Sequence, residues 1–272
     1  MKTCIRYYDN SYNRLIYIRE SSSPEYWDNY WNISKDIGKH LNGITKTKAT
    51  KKIMEYLSPN SGIILEGGCG SGVHVAALSN NGYKCVGVDY ARKTISLLNK
   101  RAPNYDFRYD DVRKLSFERN EFVGYFSSGL IEHFWDGYQE ILNEMDRVIK
   151  PGGYLFLTFP YMSFLRRIKK RLGIYPLWGG KDKPKDFYQF ALDQRRVISK
   201  FKENGFNLIE KYPISGFKGF GEEFPSLSSC ALFDTLYKNY DSSIVIKIPR
   251  KIIGIVLSKI GGHSIFLVFR KQ

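Results

Sequence analysis

From Ile63 onward the chain alternates two kinds of hydrophobic pattern. Short apolar runs read as strands: IILEG (63–67), KCVGVDY (84–90), DFRYDD (106–111), EFVGYFSS (121–128) and YLFLTFP (154–160). Between them, VHVAALSNNG (73–82), ARKTISLLNKRAP (91–103) and YQEILNEMDRVI (138–149) place apolar residues at helical spacing. These helices stop at Gly82, at Pro103 and at Lys150-Pro151-Gly152-Gly153. YLFLTFP is almost continuously apolar, the pattern of a central parallel strand covered on both faces. Later come a helix around 193–204, a strand around 206–213, a mostly helical stretch around 229–259 and a last strand, SIFLVFR (264–270). Residues 1–60 are polar and aromatic and end in a helical pattern, ATKKIMEYL, halted by Ser58-Pro59-Asn60. There is no internal repeat. Strands separated by helices predict an α/β fold, with a parallel sheet and helices on both faces. In such sheets ligands bind beyond the C-terminal strand ends.

Those strand ends carry the candidate chemistry. The first runs into Glu66-Gly67-Gly68-Cys69-Gly70-Ser71-Gly72. The alternate glycines 68, 70 and 72 let backbone approach a ligand closely, and the free N–H groups of the next helix face the same point. A tight strand-to-helix turn alone would also use such glycines. The second strand ends at Asp89, 19 residues after Gly70, where an acid can accept both hydroxyls of a ribose. NAD is the competing cofactor, but its G-x-G-x-x-G fingerprint needs a third glycine where Val73 stands. The third strand ends in Asp110-Asp111, and a carboxylate there can accept a hydrogen bond from an adenine amino group. The loop G-x-x-x-x-G-K-[ST] for nucleoside triphosphates is absent.

LEGGCGSG (65–72), VGVDY (86–90), DDVRKLSF (110–117), FVGYFSSGLIEHF (122–134) and VIKPGGYLFLTFP (148–160) occur in that order over about residues 55–215. In order and spacing they resemble the class I S-adenosylmethionine-dependent methyltransferases, in particular the small-molecule branch with a Glu-His pair after the fourth strand. The resemblance implies a Rossmann-like seven-stranded, mostly parallel sheet whose last strand, SIFLVFR, is antiparallel and inserted in the interior. It implies S-adenosylmethionine as cofactor and S-adenosylhomocysteine as product. Glu66, Gly68, Gly70 and Gly72 would cradle the methionine moiety. Asp89 would hold the ribose and Tyr90 would pack on the adenine. Asp111 would take the adenine amino group, the Val112 N–H would meet the ring, and Ser127 and Gly129 would line the sulfonium side. Two positions depart from the family: Phe122-Val123 replaces a frequent Phe-Asp, and Gly67 replaces a larger apolar residue, which would loosen the loop slightly.

A hydroxyl acceptor must lose a proton, and His133, just past the fourth strand, is the candidate base. The alternative is that it packs on the cofactor or caps a loop. Glu132 is either its orienting carboxylate or solvated. The resemblance divides the chain into an N-terminal helical segment serving as acceptor lid (1–60) and a methyltransferase domain (61–272) with insertions at about 161–190 and 216–262. Tyr26, Trp27, Tyr30 and Trp31 would wall the acceptor pocket or pack the N-terminal helix on the sheet. FYQFALDQRRV (187–197) would turn its aromatics to the pocket.

Composition narrows the acceptor. The 272 residues carry a net charge of +15. Residues 1–150 hold 21 basic and 18 acidic side chains, residues 151–272 hold 21 and 9, so the excess lies in the C-terminal half. Codon bias in a Lys-, Ile-, Asn- and Tyr-rich chain is one source, an anionic partner the other. Two segments, YMSFLRRIKKRLGIYPLW (161–178) and SIVIKIPRKIIGIVLSKIGG (243–262), combine an apolar stripe with only cationic charges. That pattern suits either peripheral contact with an anionic membrane or ordinary core packing. The first 20 residues scatter charge where a signal peptide needs an apolar run, and no stretch approaches a membrane span. Cys4, Cys69, Cys85 and Cys230 form no CxxC pair, so the reading is a cytoplasmic protein with reduced thiols and no metal site. SSGLIEHF lacks the Pro-Pro-aromatic grip of base-amino methylating enzymes, and no cysteine is placed to attack a pyrimidine ring. The expected reaction is methyl transfer to oxygen, less readily nitrogen or carbon, of a small-molecule or lipid-linked metabolite. An RNA-associated methyltransferase, argued from charge alone, and a binding-only protein are the alternatives.

Overall fold

The computed structural model describes residues 4–19, 22–31, 33–238 and 244–272. It opens with β1 (Ile5–Asp9), β2 (Arg14–Ile18), α1 (Pro24–Trp31), α2 (Ile37–Gly43) and α3 (Lys48–Tyr56). The alternating region follows: β3 (Ile63–Gly67), α4 (Val73–Ser79), β4 (Lys84–Asp89), α5 (Arg92–Arg101), β5 (Asp106–Tyr109), β6 (Phe122–Ser128), α6 (Gln139–Val148) and β7 (Ile149–Pro160). Next are α7 (Phe164–Arg171), β8 (Phe187–Ala191), α8 (Gln194–Glu203), β9 (Phe206–Ile214), α9 (Gly216–Glu223), α10 (Ala231–Lys238), α11 (Ile244–Gly261) and β10 (Ser264–Lys271). Residues 239–243, inside the helical stretch expected over 229–259, lie outside the described residues.

Seven strands form one sheet in the order β5-β4-β3-β6-β7-β10-β9. The contacts from β5 through β7 are parallel, and β10 is antiparallel to both β7 and β9. The last strand thus sits in the interior, and all seven residues of the expected SIFLVFR run pair with β7. Period-two alternation sends side chains to opposite faces. Leu65, Tyr125, Leu155, Leu157 and Leu267 join Ile141, Met145, Val197 and Phe201 of α6 and α8 in one core. Ile64, Phe126, Phe156 and Phe266 join Ile53, Val75, Ile95 and Leu98 of α3, α4 and α5 in the other. Apolar burial on both faces is why the central strands read as continuous hydrophobic runs. Lys150-Pro151-Gly152-Gly153 ends α6 as expected, yet β7 already starts at Ile149, opposite Phe122, and the register shifts before Gly124 meets Tyr154.

Two expectations need correction. First, the N-terminal segment is not wholly helical: β1 and β2 form an antiparallel hairpin, turned through Asn13 at φ 52°, and β8 adds a third strand beside β2. The β-branched and aromatic residues of RLIYI suit a strand, and Leu15, Ile16 and Tyr17 are all buried once β8 arrives. Second, the basic face expected over 161–178 is divided: Arg166 and Lys169 turn to an acidic cluster, while Arg167 and Lys170 are half-buried and Arg171 is exposed. The helix is confined to α7, and Arg166 is fully buried. Its guanidinium donates to Glu223 and Glu222 (3.1 Å each) and to the carbonyls of Tyr161 (2.7 Å) and His263 (3.1 Å). Arg6 of β1 (2.5 Å) and Lys169 (3.0 Å) also pair with Glu223, and His263 Nδ1 lies 2.9 Å from Glu222. Burial alone would raise the Glu222 carboxyl, but His263 and Arg166 outweigh it and bring it down to about 2.

This cluster ties the hairpin, α7 and α9 to the loop before β10. Removing one member strands buried charge. Arg166→Met is expected to cost about 3–5 kcal/mol and to lower Tm by roughly 10 °C in a thermal melt. A melt unchanged within a degree or two would show that the cluster contributes nothing net.

Candidate active site

A cleft opens at the C-terminal strand ends, where the switch in strand order places it. Its empty space, counted with the part open to solvent, is about 580 Å³. Of the residues singled out from the sequence, Gly68, Asp89, Tyr90, Asp111, Val112, Gly129 and His133 line it. Glu66, Gly70, Gly72 and Ser127 are not among the residues that line it. Trp27, Trp31, Asp110, Arg113, Ser128, Leu130 and Phe134 complete the lining.

The glycine loop is built by close approach. Gly70 and Gly72 have φ of +49° and +76°. A Cβ would lie 2.3 Å from the Trp31 indole at Gly70, and 2.4 Å from the Phe107 ring at Gly72. Gly67, expected to loosen the loop, does not, because the Tyr125 hydroxyl fills the space 2.0 Å from where its Cβ would be. Asp89 clasps the loop: Oδ2 accepts from the Gly70 N–H and Oδ1 from the Ala91 N–H, both at 2.9 Å. Burial pushes its carboxyl up, and these donors partly offset that. Each oxygen keeps acceptor capacity for a ribose hydroxyl.

Glu66 Oε1 lies 2.8 Å from His74 Nδ1, while Oε2 is buried without a partner. Burial opposes the charged form of His74, but the Glu66 carboxylate wins and raises its pKa. Ser127, paired in register with Gly67, also has an unpartnered buried hydroxyl. Orphaned polar atoms beside a glycine cradle fit the charged amino-acid end of S-adenosylmethionine, since buried polar groups otherwise carry a desolvation cost. Asp111 is held by Arg113, with Nη2–Oδ2 at 2.6 Å and Nε–Oδ1 at 3.0 Å, and this hydrogen bonding takes its carboxyl below the usual range. The residue read as the adenine acceptor therefore already has a partner, one the motif reading did not include.

Helix α1 lies across the cleft. Asp28 accepts from the Thr94 N–H (2.9 Å) and hydroxyl (3.2 Å), and the Tyr90 hydroxyl donates to the Ser22 carbonyl (3.3 Å). Trp31 packs on the glycine loop, and the Trp27 ring meets His133 edge-on at 4.9 Å. Tyr26 stacks on Tyr30 and meets Tyr188 of β8. The aromatics of FYQFALDQRRV divide. Tyr188 reaches this wall, but Phe187 and Phe190 are buried against Trp135; three residues apart, they share the core because the pairing with β2 shifts register at Tyr188, a β-bulge.

His133 is fixed through its backbone neighbour. Its Nδ1 lies 2.7 Å from the Tyr188 carbonyl, an acceptor only, so Nδ1 carries the proton and Nε2 keeps its lone pair. Burial lowers its pKa to about 4, against the Tyr188 bond, so the ring is neutral near pH 7. Glu132 is neither its orienting partner nor solvated. It is buried, Oε2 has no partner, and Oε1 lies 3.5 Å from where a Cβ on Gly129 would be. Burial pushes its carboxyl up to about 8. Cys69 and Cys85 are buried thiols whose pKa is also raised by burial.

A six-parallel, one-antiparallel sheet with an acid-clasped glycine loop at its switch point defines a nucleotide-cofactor-binding α/β domain. Residues 65–157 match the family model described as a methyltransferase domain. A Mycolicibacterium smegmatis protein named "Probable S-adenosylmethionine-dependent methyltransferase" is 29% identical over 97 residues, 36% of this chain and 37% of that protein. The demethylmenaquinone methyltransferase of Chlorobaculum tepidum is 26% identical over 149 residues, 54% of this chain and 56% of that protein. A solved S-adenosylmethionine-dependent methyltransferase from Archaeoglobus fulgidus superposes with a TM-score of 0.53 at 15% identity, over 91% of this chain and 99% of that one. The chain spans from about a third to just over half of the curated relatives' lengths. Residues 65–157 therefore carry a methyltransferase-domain match, and the fold is that of a solved S-adenosylmethionine-dependent methyltransferase.

Proposed function

We propose that the chain transfers the methyl group of S-adenosylmethionine to an oxygen, less readily a nitrogen or carbon, of a small-molecule or lipid-linked metabolite. The observation that carries the choice of oxygen is His133, a neutral imidazole on the cleft wall whose Tyr188 bond leaves Nε2 open. When bound, S-adenosylmethionine supplies a methyl already made electrophilic by its sulfonium. The protein's task is then to orient the acceptor and receive its proton. Glu66 and the glycine loop would take the amino-acid end, Asp89 the ribose, and Tyr90, Asp111 and Val112 the adenine. Gly129 would flank the sulfonium. His133 Nε2 would accept the hydrogen bond of the acceptor hydroxyl. Nε2 would take up the proton that the acceptor hydroxyl gives up on methylation and pass it to solvent. Helix α1, with Trp27 and Trp31 on the cleft, would exclude water from this step.

The test is transfer of labelled methyl into a cell extract separated into lipid, small-molecule, nucleic-acid and protein fractions, with Asp89→Ala as blank. Label in the lipid or small-molecule fraction is the expected result. Label confined to nucleic acid would replace this reading with the charge-based one, and cofactor binding with no label anywhere would leave a binding protein.

A further inference from the structure

Helix α11 is built inside out. Beside Leu257, which packs on Gly216, three positions facing the protein body are small. Gly254 lies against Phe217, Gly261 packs against Phe220 and Leu165, and Ser258 accepts from the Gly216 N–H. The large aliphatic side chains face away: Ile248 and Ile252 are 58% and 59% exposed, Ile255 and Val256 50% each, and Ile260 40%. Their spacing puts them on one stripe of the helix. Lys251 and Lys259 are exposed along the same face. No acidic residue occurs from Ile244 to the last residue, Gln272. Helix α7 differs, because its Arg166 and Lys169 are drawn into the Glu222–Glu223 cluster. Among the described residues no helix is long and apolar enough to cross a membrane.

We propose that the outer face of α11 docks on an anionic lipid bilayer, lying in the headgroup region with its isoleucines inserted and its lysines at the phosphates. An outward aliphatic stripe flanked only by cations matches that surface in both hydrophobicity and charge. A polar solvent matches neither, and a second copy of the same face would oppose lysine to lysine. Lysine stems also allow the ammonium to stay at the phosphates while the helix sinks. This contact lies outside the cofactor cleft and goes beyond the proposed reaction. Its test requires no methyl transfer, so either can fail without the other.

The experiment is flotation of the full chain with vesicles of phosphatidylcholine alone or with one-third phosphatidylglycerol, at low salt. The bound fraction is expected to rise about tenfold on the anionic vesicles. Ile252→Asp with Val256→Asp should abolish flotation. Lys251→Glu with Lys259→Glu should remove the preference for anionic lipid. Both exposed double variants should keep the parent's circular dichroism and S-adenosylhomocysteine binding. Absence of flotation on anionic vesicles overturns the proposal, as does flotation indifferent to these substitutions. A dimer in sedimentation that Ile252→Asp dissolves, without vesicle binding, assigns the face to a second copy and overturns it equally.

Discussion

Asp89→Ala should weaken calorimetric binding of S-adenosylhomocysteine by at least about 100-fold, since each lost hydrogen bond to a charged group is worth roughly 1.5–3 kcal/mol. The loss does not come from the ribose contact alone. Asp89 also holds the Gly70 and Ala91 N–H groups, so its removal frees two buried donors and releases the loop that must meet the methionine end. Gly70→Val should be as severe for a different reason. At φ +49° the valine would be strained, and its Cβ would need the space 2.3 Å from the Trp31 ring. Gly82→Ala is the matched control. It sits at φ +81° with its nearest neighbour 3.9 Å away, so it carries backbone strain without the collision and should bind normally. Undiminished binding in Asp89→Ala would remove the cofactor assignment from this cleft.

The features legible in the sequence are those whose reasons are local. The glycine loop and Asp89 are separated by one helix and one strand, and the helix stops at Gly82 and Pro-Gly-Gly act within a few residues. The strands buried on both faces announce themselves because both neighbours of each position are apolar. What escapes is set by partners far along the chain. Arg166 reads as a solvated charge from its own turn of helix, since Glu222 and Glu223 are 56 and 57 residues away. Residues 5–18 carry strand-forming side chains, but their hydrophobic face closes only against β8, more than 160 residues later. The Gly67 departure reads as a defect until Tyr125, three strands of sequence later, fills it. Arg113 is the instructive middle case: it lies two residues from Asp111, near enough to be suspected, but only the turn geometry shows the guanidinium folded back.

His133→Gln should reduce kcat by about 10²–10⁴-fold, the usual contribution of a positioned proton acceptor, while leaving cofactor affinity within a few-fold. The pH profile separates proton transfer from packing. Burial holds the free imidazole near pKa 4, so protonation of His133 should remove activity only as pH falls toward that value. A rise in activity through pH about 8 would instead report loss of the proton from Glu132, whose burial raises its carboxyl to about that value. Glu132→Gln should erase that rise and leave the acid limb in place. The two substitutions thus act on opposite ends of the profile, although the residues are adjacent. A His133→Gln enzyme with kcat within threefold of the parent would reduce the ring to a packing partner of Trp27. Retained activity in His133→Gln with loss in Glu132→Gln would move the proton to the carboxylate beside Gly129, a buried acid whose Oε2 is unpartnered among the described residues.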